Sequence, residues 1–91
     1  MKEKWIYQEP ECPGNYRFDG KLYVTRNIIL RLSILEVIQI TRKIEVLVQE
    51  YNGIDYLQTF KNQEGVKIYC IDCHDKSLPD NYWTMLFVDE Y

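Results

Sequence analysis

The stretch SILEVIQITRKIEVLVQEYNG, residues 33–53, decides the fold because it predicts one long amphipathic helix. Ser33 and Glu36 fit a capping box, in which the serine hydroxyl accepts from the Glu36 amide and the glutamate reaches back to the Ser33 amide. Asn52-Gly53 fits a left-handed cap at the C-terminal end. We therefore predict a helix over residues 34–51, although its many β-branched residues alone would favour strands.

Steps of 100° per residue divide this helix into an apolar arc and a polar side. Two aliphatic residues, Leu35 and Val46, fall on the polar side in a stripe with Gln39 and Arg42. The apolar arc consists of Ile34, Val37, Ile40, Thr41, Ile44, Leu47, Val48 and Tyr51.

Strand-forming segments flank the predicted helix on both sides. Residues 5–8 (WIYQ) predict an edge strand or a docked tail, and Asp19-Gly20 within YRFDGKLYV predicts a hairpin. After the helix, GIDYLQTF and VKIYCID alternate in polarity, and YWTMLFV is almost wholly apolar. The order β-β-α-β-β-β predicts an α+β fold with one long helix packed on an antiparallel sheet.

Composition predicts a single domain over residues 1–91, with residues 1–15 as an N-terminal arm and loop. The chain is 46% apolar and 14% aromatic, carries a net charge of −3 and has three cysteines, an odd number. We expect a cytoplasmic protein, because no stretch reaches the ~20 apolar residues that span a bilayer and the first residues do not resemble a signal peptide. The acidic surplus of residues 54–91 and the lack of a basic cluster argue against direct nucleic-acid binding.

The stretch YCIDCHDK contains Cys70, Cys73 and His74 in C-x-x-C-H spacing. This spacing is typical of c-type haem attachment, which needs an export signal, and with Cys12 it would complete a Cys₃His zinc site. A redox pair would need the first cysteine at a helix N-terminus. Because Cys70 ends an alternating strand, we expect it to pack inward and predict no cofactor. A zinc- or thiol-based sensor is the alternative.

The single histidine and the positions of the two serines give no catalytic triad. We therefore predict a non-catalytic module that acts by contact with another protein. We expect no interaction with a membrane, and the sequence leaves open whether the chain forms homo-oligomers. The candidate contact residues are the helix stripe and two aromatic residues of the arm. They are Leu35, Gln39, Arg42, Val46, Trp5 and Tyr7.

LYVTRNI, residues 22–28, followed after a helix by IDYLQTF, residues 54–60, resembles an uncharacterised domain-of-unknown-function family of small Firmicutes proteins. The resemblance covers about residues 21–60. It does not extend to the family's histidine- and glutamate-bearing tail, where this chain has VKIYCID and YWTMLFVDEY. The resemblance implies no activity, but it fits a cytosolic protein often carried on mobile elements or phage. Together with the small size and the lack of a catalytic constellation, it favours an inhibitor or regulator from a phage or mobile element.

Overall fold

A computed structural model describes residues 4–9, 13–72 and 81–91. Their mixed architecture confirms the predicted α+β class, with two strands before the long helix and three after it. The strands are β1 Ile6–Gln8, β2 Lys21–Val24, β3 Leu57–Lys61, β4 Lys67–Asp72 and β5 Tyr82–Phe87; the helices are α1 Arg26–Arg31 and α2 Ile34–Tyr51, and Val88–Glu90 forms a 3₁₀ turn.

The five strands form one sheet in the order β1-β3-β4-β5-β2. Strands β3, β4 and β5 make an antiparallel meander. Strand β1 adds antiparallel to β3 at one edge, and β2 adds parallel to β5 at the other. Both strands that precede the helices are therefore edge strands, and the edge strand predicted near residues 5–8 is confirmed.

The hairpin predicted at Asp19-Gly20 is wrong, because β2 pairs with the distant β5 and the sheet is not wholly antiparallel. Gly20 serves a different purpose. A Cβ atom at this position would lie 2.4 Å from the Asn81 carbonyl oxygen, which accepts a 3.0 Å hydrogen bond from the Lys21 amide. The glycine thus permits the close approach that starts the β2–β5 pairing.

Helix α2 has the bounds and both caps that the sequence predicts. The Ser33 hydroxyl accepts from the Glu36 amide at 3.2 Å, and the Ser33 amide donates to the Glu36 carboxylate at 3.0 Å. At the other end Asn52 adopts the left-handed conformation, and the Gly53 amide donates to the Val48 carbonyl. Satisfying these terminal backbone groups fixes where the helix begins and ends.

Helix α1 was not predicted, since its six residues are too few to show a full amphipathic period. Thr25 caps it by accepting a hydrogen bond from the Ile28 amide at 3.4 Å. Leu32 is extended and separates α1 from α2. Because Ile28 and Leu32 are both buried, the short helix contributes one side to the core.

The core lies between the helices and the inner face of the sheet. Alternate residues of the three central strands point inward, beginning with Gln58 in β3, Ile68 in β4 and Trp83 in β5. Together these elements form one buried apolar cluster, which defines a single domain. Its members are Trp5, Phe18, Ile28, Leu32, Ile40, Ile44, Leu47, Val48, Ile54, Phe60, Ile68, Cys70, Trp83, Met85 and Phe87.

The terminal residues of α2 are exposed to solvent. Ile34 and Tyr51 were placed on the apolar arc, but they are 78% and 61% exposed. The helix has 18 residues and is about 27 Å long, whereas a six-residue strand spans about 20 Å. The sheet can therefore cover the middle of the helix and leaves both ends in solvent.

Phe18 is a buried residue held in the left-handed backbone region, with φ of 49°. This conformation costs a non-glycine residue about 1–2 kcal/mol. Two contacts offset the cost: the Phe18 amide donates to the buried Asp72 carboxylate at 3.1 Å, and the Phe18 ring packs edge-on against Trp83. The loop before β2 is thereby tied to the end of β4.

The 3₁₀ turn after β5 is fastened to the start of α1 by one carboxylate, that of Glu90. It accepts from the Thr25 hydroxyl at 2.9 Å, from the Asn27 side-chain amide at 3.0 Å and from the Phe87 backbone amide at 2.8 Å. The turn therefore holds the end of β5 and the N-terminus of α1 together.

Replacement of Glu90 by alanine should lower the free energy of unfolding by roughly 1–2 kcal/mol, because three hydrogen bonds to a charged acceptor are lost. Asp89→Ala is the matched control, since Asp89 is exposed in the same turn. Urea denaturation of both variants measures the difference. Equal stability would show that the Glu90 contacts contribute nothing to folding.

Candidate interaction surface

The exposed side of α2 carries the predicted stripe. Leu35, Gln39, Arg42 and Val46 are all exposed, with Leu35 at 71% and Val46 at 54%. Spacings of four, three and four residues place the four side chains in one row along the helix. The structure thus brings these four candidates together on one accessible surface.

A cluster of aliphatic side chains extends this row at the N-terminal end of α2 and onto α1. Five large residues within ten positions are between 40% and 78% exposed. Single exposed apolar residues are ordinary, whereas a group of this size is typical of a contact surface. We call this group the aliphatic corner; it consists of Ile29, Leu30, Ile34, Leu35 and Ile38.

Only Leu35 of the aliphatic corner was a candidate from sequence. Ile34 was assigned to the core, and Ile29 and Leu30 precede the predicted helix. One feature of the sequence does indicate this surface. The segment NIILRLSILEVI, residues 27–38, contains more aliphatic residues than one buried helix face can hold.

Trp5 is not part of the accessible surface, and its predicted contact role is corrected here. The side chain is only 6% exposed and belongs to the core. Its indole N–H donates to the Glu36 carboxylate at 2.8 Å, and the Lys4 ammonium lies 3.5 Å from the same oxygen. The arm therefore packs against the start of α2, where an indole can bury its ring and still satisfy its N–H.

Tyr7 is half-buried, and its hydroxyl donates to the Gln58 side-chain carbonyl. Gln58 is fully buried and in turn donates to the Asp55 carbonyl at 2.8 Å. Burial, followed by the nearby charge of Glu9, raises the pKa of Tyr7 to about 12. The side chain anchors β1 to β3, and its polar group is already bound within the fold.

Cys70 packs inward, as predicted. It lies in the central strand β4 between Gln58 and Met85 and is fully buried. Burial raises the pKa of its thiol, which disfavours the thiolate needed for metal binding or redox exchange. Cys12, Cys73 and His74 lie outside the described residues. Across residues 4–9, 13–72 and 81–91, no cluster of three or more potential ligands could hold a metal ion.

Basic side chains surround the aliphatic corner. Arg26 lies one helical turn from Ile29 and Leu30, and Arg42 lies one turn from Ile38. Residues 26–43 contain four cationic side chains and one anionic side chain. The remaining residues contain seven cationic and thirteen anionic side chains, so residues 26–43 are a basic segment of an acidic chain.

Comparison of the chain with family models, curated proteins and solved structures finds no match. The resemblance of residues 21–60 to the Firmicutes family stays a prediction. Of the helices that the structure describes, none combines the length and the apolar character needed to cross a bilayer. The surface must therefore be interpreted from its own chemistry.

Stability should depend on pH through Glu36. Burial alone would raise the pKa of this carboxyl, but hydrogen bonds from Ser33 and Trp5 and the charge of Lys4 outweigh it and lower the pKa. A carboxylate with a lowered folded pKa stabilises the fold above its unfolded pKa of about 4.3, and this stabilisation is lost as the pH falls through the folded value.

We expect Glu36→Gln to cost roughly 1 kcal/mol at pH 7, or about 4–8 °C in melting temperature, because glutamine keeps the shape of the capping box but removes the charge that accepts from Ser33 and Trp5 and faces Lys4. The deficit relative to the wild type should shrink as the pH falls through the lowered folded pKa of Glu36, where the wild-type carboxylate becomes protonated. Calorimetry at pH 7 and in acid, with the wild-type carboxyl protonated, measures it. Glu45→Gln, an exposed substitution on the same helix, is the control; an equal Glu36→Gln deficit at both pH values would contradict the assignment.

Burial of Cys70 predicts slow thiol chemistry. In a Cys12→Ser/Cys73→Ser variant, Cys70 is the single thiol. We expect its reaction with a disulfide reagent to be at least ~10³-fold slower in native buffer than in denaturant, because labelling requires the fold to open. Similar rates in the two conditions, in a variant that retains a cooperative melting transition, would place this thiol within reach of solvent and favour a sensor.

Proposed function

We propose that this chain is a non-catalytic binding module that acts by protein–protein contact through the exposed side of α2 and the aliphatic corner. The observation that carries the proposal is the exposure of five neighbouring aliphatic side chains. A small protein gains solubility by placing polar residues at such positions. The presence of isoleucine and leucine there supports a surface that is covered by a partner.

The buried polar groups support the non-catalytic part of the proposal. Asn62 accepts from the amides of Glu64 and Val66 at 2.9 Å and so shapes the β3–β4 turn. Asp72 holds the Phe18 backbone, and Gln58 joins β1 to β3. Each of these groups has a structural task, which is the usual role of buried hydrogen-bonded polar side chains.

A phage or mobile-element inhibitor or regulator is the subtype that we propose. The resemblance of residues 21–60 supports it, as does the small size of a domain whose polar groups serve its own fold. A module of this kind acts by occupying a surface of its target, and a row of exposed side chains on a rigid helix is suited to that task.

The environment of Cys70 weighs against the sensor alternative. Cys70 is enclosed by the sheet and the helices, and the pKa of its thiol is raised. None of the contacts of the described residues favours a metal or a redox partner at this position.

We expect the double substitution Leu35→Gln/Val46→Gln to weaken binding to the cellular partner at least about tenfold, because central apolar contacts each contribute more than ~1 kcal/mol. Quantitative pulldowns from the native host compare the wild type with this variant. Tyr51→Gln is the matched control, since Tyr51 is equally exposed at the far end of α2. Partners retained by the double variant, with melting temperatures unchanged, would contradict the proposed surface.

A further inference from the structure

We propose that the partner segment which covers the aliphatic corner is a short amphipathic helix with an apolar side flanked by aspartate and glutamate. This inference rests on the proposed function and names the chemistry of its partner. It is carried by the combination of exposed aliphatic side chains with surrounding arginines in a protein that is acidic elsewhere.

Two arginines are positioned to bind acidic groups of a partner. Arg26 and Arg42 are exposed beside the corner residues of α1 and α2. Arg31 is not one of them, because its guanidinium lies 4.4 Å from the centre of the ring of buried Phe87. A planar guanidinium suits paired hydrogen bonds to a carboxylate.

Two anionic side chains lie near the corner, and both are bound to groups other than Arg26 and Arg42. Glu90 accepts from Thr25 and Asn27 at the start of α1. Glu36 is half-buried and is bound to Ser33, Trp5 and Lys4. The positive charge of the surface is therefore available to a partner. At physiological salt, charges act over about 8 Å, so the distant acidic side of the protein is largely screened from this surface.

A second copy of this chain fits the surface poorly. A two-fold contact places the same patch on both subunits, so Arg26 and Arg42 would face a surface bearing the same two charges. Like charges brought together at an interface oppose association. The observed charge therefore favours a partner of opposite sign.

A membrane surface also fits less well than a short segment. The exposed side of α2 continues from Arg42 to Glu45 and Glu50, both exposed. An anionic bilayer lying along the helix would meet these carboxylates as well as the arginines, whereas a short peptide can end before them. A short partner that ends before Glu45 would contact the arginine-bearing part of this surface and avoid the carboxylates.

The corner sets the size and pattern of that partner. Ile34 and Ile38 form one row of neighbours, and Leu35, Ile38 and Arg42 form a second. From Ile34 to Arg42 the helix rises about 12 Å, which corresponds to about two turns of a helix packed along it. We therefore expect apolar residues at positions i, i+4 and i+7 of the segment, with acidic residues beside them.

Selection from a display library of random 14-residue peptides, with the full chain immobilised at 150 mM salt, tests this inference. The enriched peptides should be acidic and should repeat leucine, isoleucine or phenylalanine with helical spacing. Synthetic peptides from the selection should bind Leu35→Gln and Ile38→Gln variants at least tenfold more weakly, and Arg42→Gln severalfold more weakly. Their affinity should fall as salt rises, and Tyr51→Gln should bind as the wild type does.

Other outcomes overturn the inference and separate it from the proposed function. Peptides that require Leu35 and Ile38 but show no acidic bias would remove the charge argument and leave the protein-contact function standing. Enriched peptides that bind all variants equally, or no enrichment at all, would reject the corner as a peptide site. Leu35-dependent binding to vesicles containing phosphatidylserine, or Leu35-dependent dimerisation in sedimentation, would assign the corner to a membrane or to a second copy.

Discussion

The burial of one side of α2 against the inner face of the sheet is the contact on which the rest of the structure depends. Ile40, Ile44 and Leu47 supply this side of the helix. A helix is about 10 Å wide, whereas five strands spaced about 4.8 Å apart extend over about 19 Å. One helix therefore cannot cover the sheet alone. Trp5 from the arm and Ile28 from α1 add the apolar groups that complete the core.

The same geometry explains which parts of the fold the sequence predicts. The caps of α2 are local interactions between residues three to five apart, so both of its ends can be assigned from sequence. The partner of β2 is decided by contacts some sixty residues away, between Lys21 and Asn81, which no local pattern reveals. Asp19-Gly20 looks like a turn because the glycine required for close backbone approach is the same residue that a turn would use.

Helical periodicity correctly predicts which residues in the middle of α2 are buried or exposed, but it fails for the terminal residues of the helix. The spacing of Leu35 and Val46 shows that they oppose the core, whereas Ile34 has the spacing of a core residue but is exposed. Trp5 was misassigned because aromatic residues near a terminus suit a surface anchor and a core filler equally. Glu36, which binds the indole of Trp5, had already been assigned to the helix cap, so its second partner was not apparent.

The position of the two early strands at opposite edges of the sheet has a consequence for biosynthesis. Strand β1 needs β3, and β2 needs β5, so neither can pair until the C-terminal half has left the ribosome. Few residues separate β3, β4 and β5 along the chain, so their pairing costs little loop-closure entropy. We therefore expect this meander to form first during folding. In the nascent chain β2 must therefore stay unpaired until β5 has been synthesised, and the aliphatic side chains of α1 and α2 are exposed to chaperones during that interval.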